Sequence, residues 1–251
     1  MRHWVGSVLN RVLEPRLRAN LASAFEQESR DIARRLQMVA RDESAELVRK
    51  EMGGAHSFRD PESVLRHACE VVAGPDSEGL VLEFGVWRGT TVNRLAAAFP
   101  GRTVYGFDSF AGLPEDWRDG FPRGHFRLPE PPRVDPNVCL VVGRFEDTLP
   151  AFVAAHEERV ALLHVDCDLY SSTATVLKAL RPRLTADTVI VFDEYFNYPG
   201  WQGNEHRALC EFAANARVRY EYLAYNSQGE QVAVRLASVE ADESPEAAAR
   251  S

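Results

Sequence analysis

The feature of this sequence that most limits its fold is a pair of short apolar runs, each ending in a cluster of acidic residues. The runs cover residues 160–165 and 188–192. Both contain β-branched residues and lack polar alternation, which is typical of buried parallel strands. Ligands in open α/β sheets bind beyond the carboxyl ends of the strands, so acids that follow two such strands are expected to lie together. These acids are Asp166, Asp168, Asp193 and Glu194.

Carboxylates crowded at one edge of a sheet repel one another unless a cation lies between them. Hard divalent cations prefer oxygen ligands, and carboxylates are among the ligands that they bind most readily in proteins. The pattern therefore predicts a metal-assisted enzyme rather than an α/β domain without a site.

The overall composition argues against several classes of protein. With 29 basic and 37 acidic residues in 251, the chain has a net charge of −8, and an acidic surface argues against a nucleic-acid partner. The four cysteines form no Cys-x-x-Cys pair, so reduced, mostly buried thiols are expected. Because no secretory signal and no apolar run of roughly 20 residues is found, we expect a cytoplasmic protein without a membrane partner.

The chain divides into three predicted parts. Residues 1–56 carry apolar positions at helical spacing and are interpreted as a helical extension that caps the site, pairs two subunits as a homodimer, or touches a membrane surface, the last being least favoured by its mixed charge. Residues 57–236 contain five β/α units followed by a hairpin, and residues 237–251 are expected to be a flexible tail. This order predicts an α/β fold with a doubly wound, Rossmann-like, mostly parallel seven-stranded sheet that ends in an antiparallel hairpin.

Several local signals make narrower predictions. Asp60 before Pro61 predicts a helix N-cap, and the hydroxyls of residues 171–173 are expected to cap the helix between the two acidic strands. Residues 109–136 hold six prolines and exceed the usual length of a connection, which predicts a lid or binding loop. Four aromatic residues after the second acidic strand are expected to form either a wall for a sugar or aromatic ligand or ordinary packing. They are Tyr195, Phe196, Tyr198 and Trp201.

The turn after the first strand of the domain indicates the kind of cofactor. Gly85 permits a sharp turn and Gly89 a close approach to a ligand, although a purely structural turn is equally compatible with both glycines. Trp87 and Thr90 occupy positions that are glycine in a Gly-x-Gly-x-x-Gly motif, so a pyrophosphate would lose its backbone cradle. Asp108 ends the next strand, where an acid either contacts two ribose hydroxyls or faces solvent. Together these features favour a nucleoside cofactor without a pyrophosphate, a description that S-adenosylmethionine meets.

Three further side chains have predicted roles. Glu83 is expected near the amino-acid end of such a cofactor, and Phe145 is expected either to stack on the adenine ring or to pack in the core. His164 has the same facing as Asp166 under strict strand alternation. We interpret His164 as a structural hydrogen-bonding residue, with a role as general base as the less favoured alternative.

Four ordered motifs resemble those of a known family. They lie at residues 83–89, 106–114, 164–173 and 192–195, and together they resemble the macrocin O-methyltransferase family over roughly residues 57–236. The resemblance implies a class I methyltransferase domain that transfers a methyl group from S-adenosylmethionine to a hydroxyl of a sugar or another natural product, with magnesium. It accordingly implies a small hydroxylated molecule as the partner.

The resemblance also assigns roles to single residues. It implies Asp166, Asp193 and Glu194 as metal ligands, and Asp168 as the general base, so that Asp166 and Asp168 are the expected catalytic residues. Glu194 stands where members of the family often have aspartate, and its carboxylate reaches one methylene further. The residues expected to bind the cofactor are Glu83, Gly85, Val86, Gly89, Thr90, Thr91, Asp108, Ser109, Phe145 and Asp166.

Two alternatives from other functional classes stay open at the level of the sequence. A nicotinamide-dependent oxidoreductase of Rossmann type predicts a glycine at position 87 or 90, where this chain has Trp87 and Thr90. A non-catalytic partner protein with a retained nucleoside site would bind S-adenosylmethionine without a metal, and its acidic residues would be dispensable.

Overall fold

The computed structural model describes residues 31–73 and 78–239, together with residues 17 and 20. Much of the helical extension predicted for residues 1–56, and most of the tail predicted for residues 237–251, therefore lies outside the described residues. The part of this region that is described contains a helix from Ile32 to Glu51.

The described residues form six α-helices, eight β-strands and two short 3₁₀ helices. The α-helices are α1 (Ile32–Glu51), α2 (Pro61–Val72), α3 (Thr90–Ala98), α4 (Phe145–Ala155), α5 (Tyr170–Leu180) and α6 (Glu205–Asn215). The strands are β1 (His56–Phe58), β2 (Leu80–Phe84), β3 (Val104–Asp108), β4 (Val138–Val142), β5 (Val160–Val165), β6 (Val189–Phe192), β7 (Val218–Asn226) and β8 (Val232–Val239). The 3₁₀ helices are Arg181–Arg183 and Trp201–Gly203. Within this part of the chain no helix is both long and apolar enough to cross a membrane.

The eight strands form one sheet in the order β1-β7-β8-β6-β5-β2-β3-β4. Neighbouring strands are parallel except at β8, which runs antiparallel to both β6 and β7. The doubly wound, mostly parallel sheet that ends in an antiparallel hairpin is therefore confirmed. The sheet has one strand more than predicted, because β1 pairs with the outer edge of β7 and has only 3 residues, too few to produce an alternation pattern.

Strands β2, β5 and β6 form the buried centre of the sheet, and every residue of each is buried. Helices α2 and α3 pack in one hydrophobic cluster, whereas α1, α4, α5 and α6 contribute to a second cluster. Parallel strands covered by helices on both faces bury both sets of side chains, which explains why the apolar runs lack polar alternation.

The N-terminus of α2 follows the predicted pattern. Asp60 is the N-cap, and its carboxylate accepts a hydrogen bond from the Ser63 N–H at 2.7 Å. Pro61 takes the first helical position, where the N–H that it lacks would have no partner within the helix. The local sequence therefore sets this helix boundary.

The predicted cap of α5 is wrong. The helix begins at Tyr170, and no described side chain caps the preceding residue, Leu169. The chain turns sharply at Asp168, so the helix starts before the serine and threonine hydroxyls can occupy the N-cap position. Ser171 Oγ instead donates a hydrogen bond to Glu115 at 2.6 Å, which connects α5 to the long loop.

Helix α1 packs against the loop that follows β6. Gln37 Nε2 donates to the carbonyl of Asn197 at 2.7 Å, and the Asn197 N–H donates to Ser44 Oγ at 2.9 Å. Ser44 is itself buried and donates to the Ala40 carbonyl. The described part of the N-terminal extension is thus hydrogen-bonded to a loop that begins at the carboxyl edge of the sheet.

Candidate active site

The two acidic strands end side by side at the carboxyl edge of the sheet. Strands β5 and β6 are parallel, with Val165 opposite Phe192. The Asp193 N–H donates to the Val165 carbonyl at 3.0 Å, and the Asp166 N–H donates to the Phe84 carbonyl at 2.8 Å. Backbone pairing of three neighbouring strand ends therefore brings the first acid of each cluster to the same place.

Three carboxylates converge at this edge, and we call Asp166, Asp193 and Glu194 the acidic centre. One oxygen from each carboxylate lies within 4.8 Å of the other two. Glu194 Oε2 is buried and has no hydrogen-bond partner in the described part of the chain. Because a buried carboxylate oxygen without a partner is costly, and a hard cation would satisfy it, these residues fit a divalent metal ion.

Burial and mutual repulsion perturb the ionisation of the acidic centre. Burial, followed by the charge of Asp193, raises the pKa of Asp166 and of Glu194 well above the ordinary carboxyl value. Burial also opposes ionisation of Asp193, but hydrogen bonding and charge from His164 outweigh it and lower the pKa of Asp193. A bound cation would favour the ionised form of all three carboxylates.

His164 lies between the acidic centre and the buried interior of the sheet. Its Nδ1 is 3.3 Å from Glu83 Oε2, and its Nε2 is 3.9 Å from Asp193 Oδ1. Burial lowers the pKa of His164, but the two flanking carboxylates outweigh burial and raise it well above its ordinary value. A histidine held as a cation between two acids favours the structural interpretation over that of general base.

Asp168 occupies a tight backbone turn beside the acidic centre. Its φ is 65°, and the Leu169 N–H donates to the Cys167 carbonyl at 2.6 Å across it. This i to i+2 hydrogen bond with a left-handed central residue defines a γ-turn, which is a strained conformation. The turn places the Asp168 carboxylate on the wall of the adjoining cavity. Asp168 is nevertheless only 7% exposed.

The surroundings of Asp168 suit it to accept a proton. Burial raises its pKa to about 7, the charge of Arg118 opposes the rise, and nearby carboxylates add to it. A group with a pKa near the working pH is the most effective general base.

A cavity of about 390 Å³ lies beside the acidic centre. The predicted cofactor residues that line it are Gly85, Thr90, Thr91, Asp108, Ser109, Phe145 and Asp166. The remaining three lie behind the wall: Glu83 is buried against His164, Val86 belongs to the hydrophobic core, and Gly89 is the N-cap residue of α3. Phe145 is compatible with both of its predicted roles, since it lines the cavity and also packs edge-on against Phe84.

Asp108 is held by the turn that it faces. Its Oδ2 accepts hydrogen bonds from the N–H groups of Val86 at 3.0 Å and Trp87 at 2.8 Å, and its Oδ1 accepts one from the Phe110 N–H at 2.7 Å. Each carboxylate oxygen has about two acceptor positions, so Oδ2 is saturated and Oδ1 keeps one. In this arrangement a ribose contact is therefore restricted to Oδ1, rather than shared by both oxygens.

Gly85 marks the closest approach between the end of β2 and the acidic centre. Its φ is 95°, and a Cβ atom there would lie 1.6 Å from the Asp166 carbonyl oxygen. No residue with a Cβ atom fits at this position unless the backbone of Asp166 moves. The glycine that the sequence marked as a turn residue is thus also required by packing.

Several residues of the cavity wall were not predicted. They include Trp87, Leu113, Pro114, Phe126, Arg144, Glu146 and Ser172. Trp87 and Phe126 meet edge to face, with ring centroids 5.3 Å apart, and thereby connect the glycine turn to the long loop. The length of residues 109–136 signalled a binding loop, but it carried no information about which side chains would face the cavity.

The aromatic residues after β6 do not form a ligand wall. Tyr195, Phe196, Tyr198 and Trp201 are 0%, 3%, 2% and 3% exposed. They belong to the hydrophobic cluster that also contains residues of α1 and α6, because the loop folds beneath these helices. The prediction of a wall is therefore wrong for this loop, and the alternative of ordinary packing is confirmed.

The fold is Rossmann-like, and solved structures that it resembles are methyltransferases. The O-methyltransferase NovP is 25% identical to this chain with a TM-score of 0.55, covering 70% of this chain and 78% of NovP. The calicheamicin methyltransferase CalS11 is 26% identical with a TM-score of 0.54, covering 69% of this chain and 76% of CalS11.

Two family models match parts of the sequence. Residues 82–195 match the family described as a methyltransferase domain, and residues 14–123 match the macrocin-O-methyltransferase family. The predicted resemblance to the macrocin O-methyltransferase family is thereby confirmed.

Curated relatives of this chain are named as O-methyltransferases. Demethyldecarbamoylnovobiocin O-methyltransferase of Streptomyces niveus is 29% identical, over 59% of this chain and 66% of its own length. Mycinamicin III 3''-O-methyltransferase of Micromonospora griseorubida is 30% identical, over 52% of this chain and 61% of its own length. The matched part thus spans less than two thirds of either relative.

Proposed function

We propose that this protein is an S-adenosylmethionine-dependent O-methyltransferase that acts, with a divalent cation such as Mg²⁺, on a hydroxyl of a small molecule. The observation that carries the proposal is the acidic centre at the end of a cavity bounded by the glycine turn and Asp108. The family match and the relatives named for O-methylation of antibiotics support this activity. By the same reasoning, a sugar of a natural product is the acceptor class that we favour.

The cofactor would lie along the wall between the glycine turn and Asp108. Thr90 and Thr91 at the start of α3 line this wall, and the N–H groups of a helix start attract the carboxylate of a ligand. Asp108 Oδ1 retains one acceptor position for a ribose hydroxyl. Phe145 is placed to contact the base.

The acceptor hydroxyl would lie between the cofactor and Asp168. The oxygen attacks the methyl carbon, the sulfur–methyl bond breaks with its electron pair left on sulfur, and Asp168 takes the hydroxyl proton. When bound at the acidic centre, Mg²⁺ would supply a Lewis acid that lowers the pKa of the hydroxyl. Because the displacement must be in line, positioning by the cavity wall provides much of the acceleration.

The proposal is tested by calorimetric titration of the purified protein with S-adenosylmethionine and, separately, with NADH, each with and without Mg²⁺. We expect micromolar binding of S-adenosylmethionine and none of NADH. A protein that binds NADH alone would be an oxidoreductase candidate, and a protein that binds neither ligand would overturn the proposal. Formation of S-adenosylhomocysteine during a screen of hydroxylated sugars and phenols then identifies the acceptor class.

A further inference from the structure

A further carboxylate, that of Glu205, lies against the backbone of the acidic centre. Glu205 is the first residue of α6 and is 0% exposed. Its Oε2 accepts a hydrogen bond from the backbone N–H of Glu194 at 2.9 Å. Glu205 therefore fixes the backbone of one member of the acidic centre, eleven residues earlier in the chain.

The second oxygen of Glu205 lacks a protein partner. Oε1 is buried without a hydrogen bond from any described residue, and the same holds for Oε2 of Glu194. Glu194 and Glu205 are hydrogen-bonded to each other, and each has one buried carboxylate oxygen without a partner among the described residues. Burying such oxygens costs free energy. A cation close to both oxygens would offset that cost.

The charged groups that act on Glu205 belong to the acidic centre and to Asp168 beside it. Asp193, Asp168 and Asp166 lie close enough to act on it electrostatically. Glu205 is absent from the cavity wall on which the cofactor is proposed to lie. Glu205 therefore contacts the backbone of the acidic centre from outside the cavity wall.

We propose that Glu205 is a positioning residue for the divalent cation: it orients Glu194 through the backbone and adds negative charge that strengthens binding at the acidic centre. This inference rests on the proposed function. It also accounts for a feature of this chain, since Glu194 has one more rotatable bond than aspartate and needs a fixed backbone to present its carboxylate.

The experiment compares wild type with Glu205→Gln by calorimetric titration with Mg²⁺ and Mn²⁺. The amide oxygen of glutamine still accepts from the Glu194 N–H, so the variant removes the charge and keeps the hydrogen bond. We expect metal affinity to fall about 10- to 100-fold, as for other residues that support metal ligands, with unchanged affinity for S-adenosylmethionine. Glu211→Gln lies on the same helix, where the Glu211 side chain is 43% exposed, and is the matched control, whose metal affinity should equal that of wild type.

A second readout separates this role from a purely structural one. Because glutamine keeps the hydrogen bond to Glu194 and removes a buried charge whose Oε1 has no partner among the described residues, the melting temperature of the metal-free protein should be unchanged or higher, while the stabilisation by Mg²⁺ shrinks. A structural role instead predicts a lower melting temperature without metal and unchanged metal affinity, which would overturn the inference. Glu205→Asp keeps the charge but is one methylene too short to hold the Glu194 N–H. Its metal affinity should therefore also fall below that of wild type, and wild-type affinity in this variant would overturn the orienting role.

Failure of this inference is distinguishable from failure of the proposed function. Wild type that binds the cation only as tightly as Glu205→Gln overturns the role of Glu205 alone. Wild type that binds S-adenosylmethionine but no cation removes the metal centre and this inference together, while the methyltransferase assignment stands.

Discussion

Asp168 combines two properties that are rarely found together, a strained backbone and a buried carboxylate. A left-handed conformation is tolerated by aspartate and asparagine better than by most residues, which makes the turn possible without glycine. The turn aims the side chain at the cavity before α5 begins, so that the carboxylate lies beside the acidic centre rather than at the helix N-cap. We infer that the backbone strain is the cost of placing a base at this point.

Replacing Asp168 with asparagine tests the assignment of the base. Asparagine keeps the shape of the side chain and adopts a left-handed conformation readily, but it cannot take a proton. We expect kcat to fall by about 10²- to 10⁴-fold, with unchanged binding of S-adenosylmethionine by calorimetry. Asp187→Asn is the matched control, because Asp187 is exposed and also has a positive φ of 70°. An Asp168→Asn protein with the wild-type rate would remove Asp168 as the base.

Gly85 provides a second test at the scale of the residue. Alanine at this position would suffer both a positive φ and contact with the Asp166 carbonyl oxygen, so we expect a loss of several kcal/mol in the free energy of unfolding, measured by urea denaturation. Gly120→Ala is the control, since Gly120 has a φ of 86° but nothing within 4 Å of the added Cβ. The control should cost only about 1–2 kcal/mol, and equal losses would show that the close approach to Asp166 is unimportant.

The element that most shapes the site beyond the sheet is the loop at residues 109–136. It is folded on itself by backbone hydrogen bonds, including Leu113 N–H to the His125 carbonyl at 2.9 Å. Arg118 joins it to two other loops: the guanidinium lies 4.6 Å from the ring centroid of Tyr198 and 3.0 Å from Glu230 Oε2. A loop of this length is thus ordered by one cationic side chain placed between three connections.

We expect Arg118→Met to loosen this loop. The methionine retains an apolar stem, but the ion pair and the stacking on aromatic rings are lost, together about 1–2 kcal/mol for partly buried groups. Hydrogen exchange of residues 112–126 should become faster, and S-adenosylmethionine should bind several-fold more weakly, while the sheet stays protected. Arg123→Met on the same loop, where Arg123 is exposed, should leave both measurements unchanged. Identical exchange in the two variants would show that Arg118 does not order the loop.

At the scale of the whole molecule, the sheet concentrates negative charge at one edge. Each of six carboxylates there acts electrostatically on at least one of the others: Glu83, Asp166, Asp168, Asp193, Glu194 and Glu205. His164, beside Glu83, and Arg118, which acts on Asp168, supply positive charge to this group. Since the chain as a whole is also acidic, at net −8, the folded protein is expected to gain stability when a divalent cation binds.

The expected gain in stability on binding the cation can be measured as a rise in the melting temperature, Tm. At a free Mg²⁺ concentration of about 100 times Kd, the stabilisation is about 2.7 kcal/mol, which for a chain of this size raises Tm by roughly 5–10 °C. Asp166→Asn should lose most of this shift, and potassium chloride at equal ionic strength should not reproduce it. A shift of the same size in Asp166→Asn would place the cation elsewhere on the protein.

The sequence by itself determined which strands are buried and what ends them. Apolar runs without polar alternation identify strands covered on both faces, and an acid that directly follows such a strand must lie at its carboxyl edge. For that reason the strand pattern alone was enough to group Asp166, Asp193 and Glu194, although residues 167–192 separate the first from the other two. The doubly wound fold class and the helix cap at Asp60 could be predicted in the same way, because both depend on local sequence patterns.

The tertiary structure alone decided the contacts between residues far apart in the chain. Arg118 and Glu230 are 112 residues apart, and no local pattern indicates that they meet. In the sequence, Glu205 is typical of an ordinary acid in the first turn of a helix, and only the packing of α6 shows that it holds Glu194. Whether an aromatic or acidic side chain lines a site or fills the core depends on which way its loop folds, and that is set by the free energy of the whole packed domain rather than by neighbours in sequence.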